Sequence, residues 1–66
     1  MKNTIKVERA RNNMTQQDLA ERVNVSRQTI NSIEAGKYVP STVLSLKIAK
    51  VFLVPLEELF ELEEGD

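Results

Sequence analysis

The chain has 66 residues, enough for one domain (1–66) with a small core, so self-association is expected to add stability. It holds no cysteine and no histidine, which excludes a disulfide framework, the usual zinc ligands, a thiolate nucleophile and the commonest general base. Its net charge of −1 conceals an asymmetry, because residues 1–50 carry all nine cations against four acids while the last ten carry the other six acids; that points to a basic binding side and an acidic end held away from it.

Residues 4–12 are expected to form a first helix with Ile5 pointing inward. Thr15 opens a second, from Gln16 to about Val23, in which Leu19, Ala20 and Val23 recur at helical spacing. Asp18 stands three residues after Thr15 in a capping-box-like start, shorter than the usual Glu or Gln. Asn24 follows, one of the few non-glycine residues that tolerate the left-handed backbone of a sharp helix exit. Ser26 is a good N-cap for a third helix over Arg27–Ala35, and Gly36 supplies the left-handed residue that ends it. Helix, tight turn, helix over about 16–35 is a DNA-reading arrangement when the second helix has a polar outer face.

That face is present. At about 100° per residue, Asn31 and Ser32 fall within about 60° of Gln28, and Arg27 lies about 100° to one side. Ile30 and Ile33 point the opposite way. Arg can donate bidentately to guanine, and Gln or Asn can pair with adenine, which makes Arg27, Gln28, Asn31 and Ser32 the candidate base-reading residues. Any surface helix has a polar face; the capped start, the Asn turn and the preceding helix together give this one a purpose.

Lys37–Pro40 reads as a loop closed by Pro40. Lys37 sits where such a loop meets phosphates, and Tyr38 either offers its hydroxyl to one or packs against Pro40. A fourth helix runs from Ser41 or Thr42 to about Phe52 with two apolar stripes. Leu46, Ala49 and Phe52 suit the core, while Leu44, Ile48 and Val51 are either wrapped by a fifth helix or buried against a partner. A left-handed backbone at Leu53 would cost about 1–2 kcal/mol. Pro55 fits the first position of a fifth helix, Pro55–Phe60, with Leu56, Leu59 and Phe60 as apolar contacts. The acidic tail, about 61–66, lies as a short strand against Met1–Asn3 or is disordered.

The string LAERVNVSRQTINSIEAGKYVPS, followed by LKIAKVF and PLEELF, resembles the lambda-repressor, Cro and Xre family of helix-turn-helix regulators. It is nearest the compact single-domain members of the cytolysin-operon repressor type, and the likeness covers about residues 5–60. The resemblance implies an all-α, five-helix DNA-binding domain. It places Gln16 between phosphate and base, and Arg27, Gln28 and Ser32 at base-reading positions; Lys37 would meet the DNA backbone. It also implies an ion pair between Arg9 and Glu34 across the back of the third helix, against the alternative of two solvated charges. Two departures stand out: Glu8 occupies a place where the family has a large aliphatic residue, with Val7 where it has a polar one, and Leu53 stands where a glycine is common.

The function expected is that of a dimeric, sequence-specific regulator of transcription, a repressor binding double-stranded DNA. The third helix would lie in the major groove, and Gln16, Ser26, Lys37 and Tyr38 would position the domain on phosphates. No metal, cofactor or small-molecule effector is expected, nor an enzyme, since the acids of 57–66 read as a solvated face and tail. No apolar run approaches about 18 residues and no secretory leader is visible, so a cytoplasmic protein without membrane contact is expected. The alternative is a protein-interaction module, of antitoxin or co-regulator type, that uses the surface of helices four and five.

Overall fold

The computed structural model describes residues 1–66. In chain order it contains β1 (Lys2–Asn3), α1 (Ile5–Arg11), α2 (Gln16–Val23), α3 (Arg27–Glu34), α4 (Thr42–Phe52), α5 (Leu56–Leu59) and β2 (Phe60–Glu61). The two strands pair antiparallel, Lys2 opposite Glu61 and Asn3 opposite Phe60. Of the two expectations for the tail, pairing is therefore the one realised.

Each helix of the first four ends at a residue with positive φ: Asn13 (51°), Asn24 (63°), Gly36 (75°) and Leu53 (56°). At all four ends the backbone closes the same way. Met14 N–H donates to Arg9 O at 2.9 Å, Val25 N–H to Ala20 O at 3.0 Å, Lys37 N–H to Ser32 O at 3.0 Å and Val54 N–H to Ala49 O at 3.2 Å. These are the long bonds of Schellman caps, which satisfy carbonyls the helix leaves open. A Cβ at Gly36 would meet nothing within 4 Å, so glycine is needed there for its conformation alone. The helix starts are equally local. Thr15 and Asp18 form a reciprocal capping box, Asp18 N–H to Thr15 Oγ1 at 3.0 Å and Thr15 N–H to Asp18 Oδ2 at 2.9 Å. Hydrogen bonds from the Thr15 backbone and hydroxyl hold the Asp18 carboxyl below its ordinary pKa.

The core joins all five helices: Ile5 from α1, Leu19, Ala20 and Val23 from α2, Ile30 and Ile33 from α3, Leu44, Ile48, Ala49 and Phe52 from α4, and Leu59 from α5. Burying a Leu, Ile or Phe side chain contributes about 1.5–3 kcal/mol, so this cluster dominates a small domain's cohesion. The rotation of α4 differs from the expected one. Leu46 is 52% exposed, whereas Leu44 and Ile48 of the other stripe are buried and Val51 packs half-buried against the core. Periodicity reports how many apolar positions a helix has, and on a helix apolar on two sides it does not report which side the neighbours occupy.

The departures at α1 resolve simply. Ile5 alone anchors the helix; Val7 is 50% exposed. Glu8 keeps the covered place of an aliphatic residue, its side chain only 13% exposed, while its carboxylate accepts from Arg11 Nη1 at 3.2 Å. At the other end, α5 is shorter than expected. Pro55 is its extended N-cap (φ −61°, ψ 147°), and Phe60 leaves the helix (φ −121°, ψ 141°) to pair with Asn3.

Arg9 and Glu34 tie α1 to α3. Arg9 Nε donates to Glu34 Oε2 at 2.6 Å, Nη2 to Oε1 at 3.0 Å and Nη1 to Met14 O at 2.9 Å. The two side chains are 14% and 8% exposed, so the pair is a largely desolvated fork rather than two solvated charges. Hydrogen bonding to Glu34 raises the Arg9 pKa further above its already high value.

Leu53 is 88% exposed, so its left-handed backbone carries steric cost without compensating burial. Leu53→Gly should therefore stabilise the fold by about 1 kcal/mol, raising the melting temperature at fixed protein concentration by about 4–8 °C. Glu34→Ala should leave the Arg9 guanidinium covered and unpaired, at a cost of about 3–5 kcal/mol in a urea titration; an unchanged midpoint would show the pair to be dispensable.

Candidate nucleic-acid interface

The turn between α2 and α3 is built from its own residues. Asn24, left-handed at φ 63° and ψ 45°, reverses the chain, and Val25 N–H returns to Ala20 O at 3.0 Å. Ser26 then starts α3 from an extended backbone, its Oγ accepting from Thr29 N–H at 3.1 Å and lying 2.9 Å from Thr29 Oγ1. With Ile30 and Ile33 pinned in the core and Glu34 turned back onto Arg9, the orientation of α3 follows, and Arg27, Gln28 and Asn31 face outward.

On that outer side Arg27, Gln28 and Asn31 are exposed and Ser32 is half-buried. Gln28 and Ser32 line one shallow hollow together with Ser26, Thr29, Lys37 and Tyr38. Arg27 lines a second, with Thr15, Gln16, Gln17 and Arg9 among its neighbours. The structure thus sets Gln28 and Ser32 beside one group of neighbours and Arg27 beside another, while Asn31 lines neither hollow. Lys37 is exposed and Tyr38 is 48% exposed on the loop beyond α3. Their position follows from the Gly36 exit, which turns the chain back over the helix end.

Gln16 is the best-connected side chain at this surface. Its Nε2 donates to Glu34 Oε1 at 3.2 Å and to Asn31 Oδ1 at 3.3 Å, joining the interface to the Arg9–Glu34 pair. The capping box occupies the Asp18 N–H, which leaves the backbone N–H groups of Gln16 and Gln17 facing outward at the positive end of α2.

Sequence patterns do not reveal two further contributors. Gln17 lines the same hollow as Arg27. Asn3 reaches from β1 to α3, its Nδ2 donating to Ile33 O at 2.9 Å while its Oδ1 accepts from Ile5 N–H at 3.3 Å. One amide thereby caps the start of α1 and holds the far end of α3. A separation of 30 residues leaves no periodic trace of such a contact. No helix of the chain is long and apolar enough to cross a membrane.

A family pattern described as helix-turn-helix matches residues 5–59. An uncharacterized HTH-type transcriptional regulator of Methanocaldococcus jannaschii is 53% identical over 66 residues, covering the whole of both chains. YgzD of Bacillus subtilis, also described as an uncharacterized HTH-type transcriptional regulator, is 52% identical over 64 residues and 97% of each chain. A third, from Archaeoglobus fulgidus, is 50% identical over the whole of this chain and 93% of its own length. The five-helix core, the capped pair α2–α3 and these full-length relatives converge: the chain belongs to the Xre and lambda-repressor-like helix-turn-helix family.

Proposed function

We propose that the chain is a sequence-specific double-stranded DNA-binding transcriptional regulator, a dimeric repressor acting in the cytoplasm on a palindromic operator. The observation that carries this reading is the edge of α3. Arg27 and Gln28 stand exposed with no hydrogen-bond partner in the protein, on a helix whose other side is locked into the core. Long polar side chains held free on a fixed helix suit the donor and acceptor pattern of the major groove, where each good bidentate contact contributes about 1–3 kcal/mol of discrimination. Asn31 and Ser32 add shorter contacts. The family is one of regulators rather than of enzymes, and its relatives are described as transcriptional regulators.

Positioning falls to the surroundings of that edge. Lys37 and Tyr38 approach phosphates from the loop, and the hydroxyl pair of Ser26 and Thr29, 2.9 Å apart, stands beside them with one proton to offer. The free N–H groups at the start of α2 add a fixed partial positive charge. Repression follows from simple occupancy of the promoter.

The homodimer is supported by the apolar surface that the fold leaves uncovered. Val43 and Leu46 face outward from α4 at 64% and 52% exposure, and Leu56, Phe60 and Leu62 line an apolar hollow rimmed by Glu57 and Glu61. The occupant we assign is a second copy, since Lys47 and Lys50 accompany the α4 residues and complement that acidic rim reciprocally about a two-fold axis. Two copies so joined would present their α3 helices to half-sites about 34 Å apart.

Fluorescence anisotropy with promoter fragments at two salt concentrations tests the function. Tight, strongly salt-dependent binding is expected, whereas absence of binding to any fragment would favour the protein-interaction module. Arg27→Ala should relax preference at one base pair, while Lys37→Ala should weaken binding evenly and flatten the salt slope by about one unit for each phosphate the side chain had neutralised. Sedimentation velocity should show a dimer, converted to monomer by Leu46→Asp with Leu62→Asp. A monomeric wild type would remove the dimer and leave the DNA reading standing.

A further inference from the structure

The side chains of Arg9, Glu34, Gln16 and Asn31 form a one-way chain of hydrogen bonds. The Arg9 guanidinium has only donors, and it forks onto Glu34 with bonds of 2.6 and 3.0 Å. Both Glu34 oxygens accept from that fork, and a carboxylate has only acceptors to offer. Gln16 bonds to Glu34 Oε1, so its amide must turn its NH₂ toward the carboxylate; the inverted amide would set oxygen against oxygen. The second hydrogen of that NH₂ goes to Asn31 at 3.3 Å, so Asn31 must turn its oxygen inward, because nitrogen against nitrogen would be equally unfavourable. Each amide on its own is ambivalent. Anchored to a charge at one end, neither is.

We infer that Glu34 is a specificity-positioning residue: through Gln16 and Asn31 it fixes the hydrogen-bond polarity of this part of the DNA-reading edge. This rests on the proposed DNA reading and deepens it. Both Gln16 hydrogens are consumed within the protein, so its outward atom is Oε1, an acceptor. Asn31, with its oxygen engaged, turns its two amino hydrogens outward as donors. In the major groove adenine and cytosine present amino donors, whereas guanine and thymine present carbonyl acceptors. Gln16 accordingly selects adenine or cytosine, and Asn31 the acceptor atoms of a neighbouring base. The same polarity turns a lone pair rather than a proton toward any nearby phosphate, so at this end of α2 the phosphate contact falls to the backbone N–H groups of Gln16 and Gln17.

Glu34→Gln supplies a reversal as the test. The variant's single carbonyl keeps the shorter Arg9 bond, from Nε at 2.6 Å, so its new NH₂ takes the place of Oε1, giving up the Nη2 bond and facing Gln16. The Gln16 amide must then invert and present donors to the groove. Bound oligonucleotides are selected from a random pool with the wild type, Gln16→Ala, Glu34→Gln and Asn31→Asp. At the base pair where Gln16→Ala loses preference, Glu34→Gln should exchange the amino-bearing base (adenine or cytosine) of the wild-type site for a carbonyl-bearing one (guanine or thymine) on the same strand. Asn31→Asp keeps the Arg9–Glu34 pair and lies on an exposed position, so it tests the relay even if Glu34→Gln fails to fold. It should retain the Gln16 preference and exchange its own acceptor base for an amino-bearing one.

A direct readout on the unmodified protein accompanies the selection. In nitrogen-resolved NMR, the Gln16 side-chain amide protons should exchange with water about tenfold more slowly than those of Gln28, which has no partner. Equal exchange, or an unchanged preference in a folded Glu34→Gln, would each overturn the inference. Those outcomes leave the DNA reading intact as long as the wild type enriches an operator. If the wild type enriches none, the DNA reading itself fails and the inference with it.

Discussion

The guanidinium of Arg9 and the carboxylate of Glu34 meet where three helices come together, and much of the architecture is arranged to make that meeting tolerable. Neither group is well hydrated, at 14% and 8% side-chain exposure, so each depends on the other and on neighbours that complete its valence. Met14 O takes one remaining Arg9 hydrogen, and the Gln16 amide takes part of the remaining acceptor capacity of Glu34. The Schellman closure of α1 at Asn13 is what delivers Met14 O to the guanidinium. A charged pair of this kind contributes less to cohesion than the same volume of hydrocarbon, and more to uniqueness, because a shifted α3 would leave two charges without partners.

Around that pair the aliphatic core holds α3 still. Ile30 and Ile33 are buried at 0% and 1% exposure, so the helix cannot roll without exposing hydrocarbon. Its outer side chains are consequently presented at fixed angles on a firm base. A helix backbone that need not be ordered on contact forfeits less entropy when it binds, which leaves only the free side chains of Arg27 and Gln28 to settle.

The parts of the fold legible in sequence were those set by neighbours a few residues away. Thr15 with Asp18, Asn24, Ser26 and Gly36 each solve a local backbone problem, and the residue type names the solution. Leu53 was legible for the same reason, as a side chain where the chain needs a left-handed turn. The rotation of α4 was not, because Val43, Leu44, Leu46 and Ile48 are interchangeable to a hydrophobic pattern and only the neighbouring helices decide between them. Pro55 and Phe60 misled for a related reason: their preferences fit a longer α5, but pairing of Phe60 with Asn3 ends it early. At the interface, the outward placement of Arg27, Gln28 and Asn31 could be counted from Ile30 and Ile33. The bonds from Gln16 to Asn31 and Glu34 span 15 and 18 residues, and they depend on rotamers that no spacing rule records.

The amide of Asn3 has a chemical vulnerability that the aliphatic core lacks. It donates to Ile33 O at 2.9 Å and so grips the carbonyl end of the helix that would enter the groove. Spontaneous loss of ammonia, to which asparagine is prone on heating and storage, would convert that donor into an aspartate. A carboxylate would then face a carbonyl oxygen with no hydrogen between them, and attraction would become repulsion. Such a change at Asn3 would loosen the grip at one end of α3 while leaving the hydrocarbon interior intact.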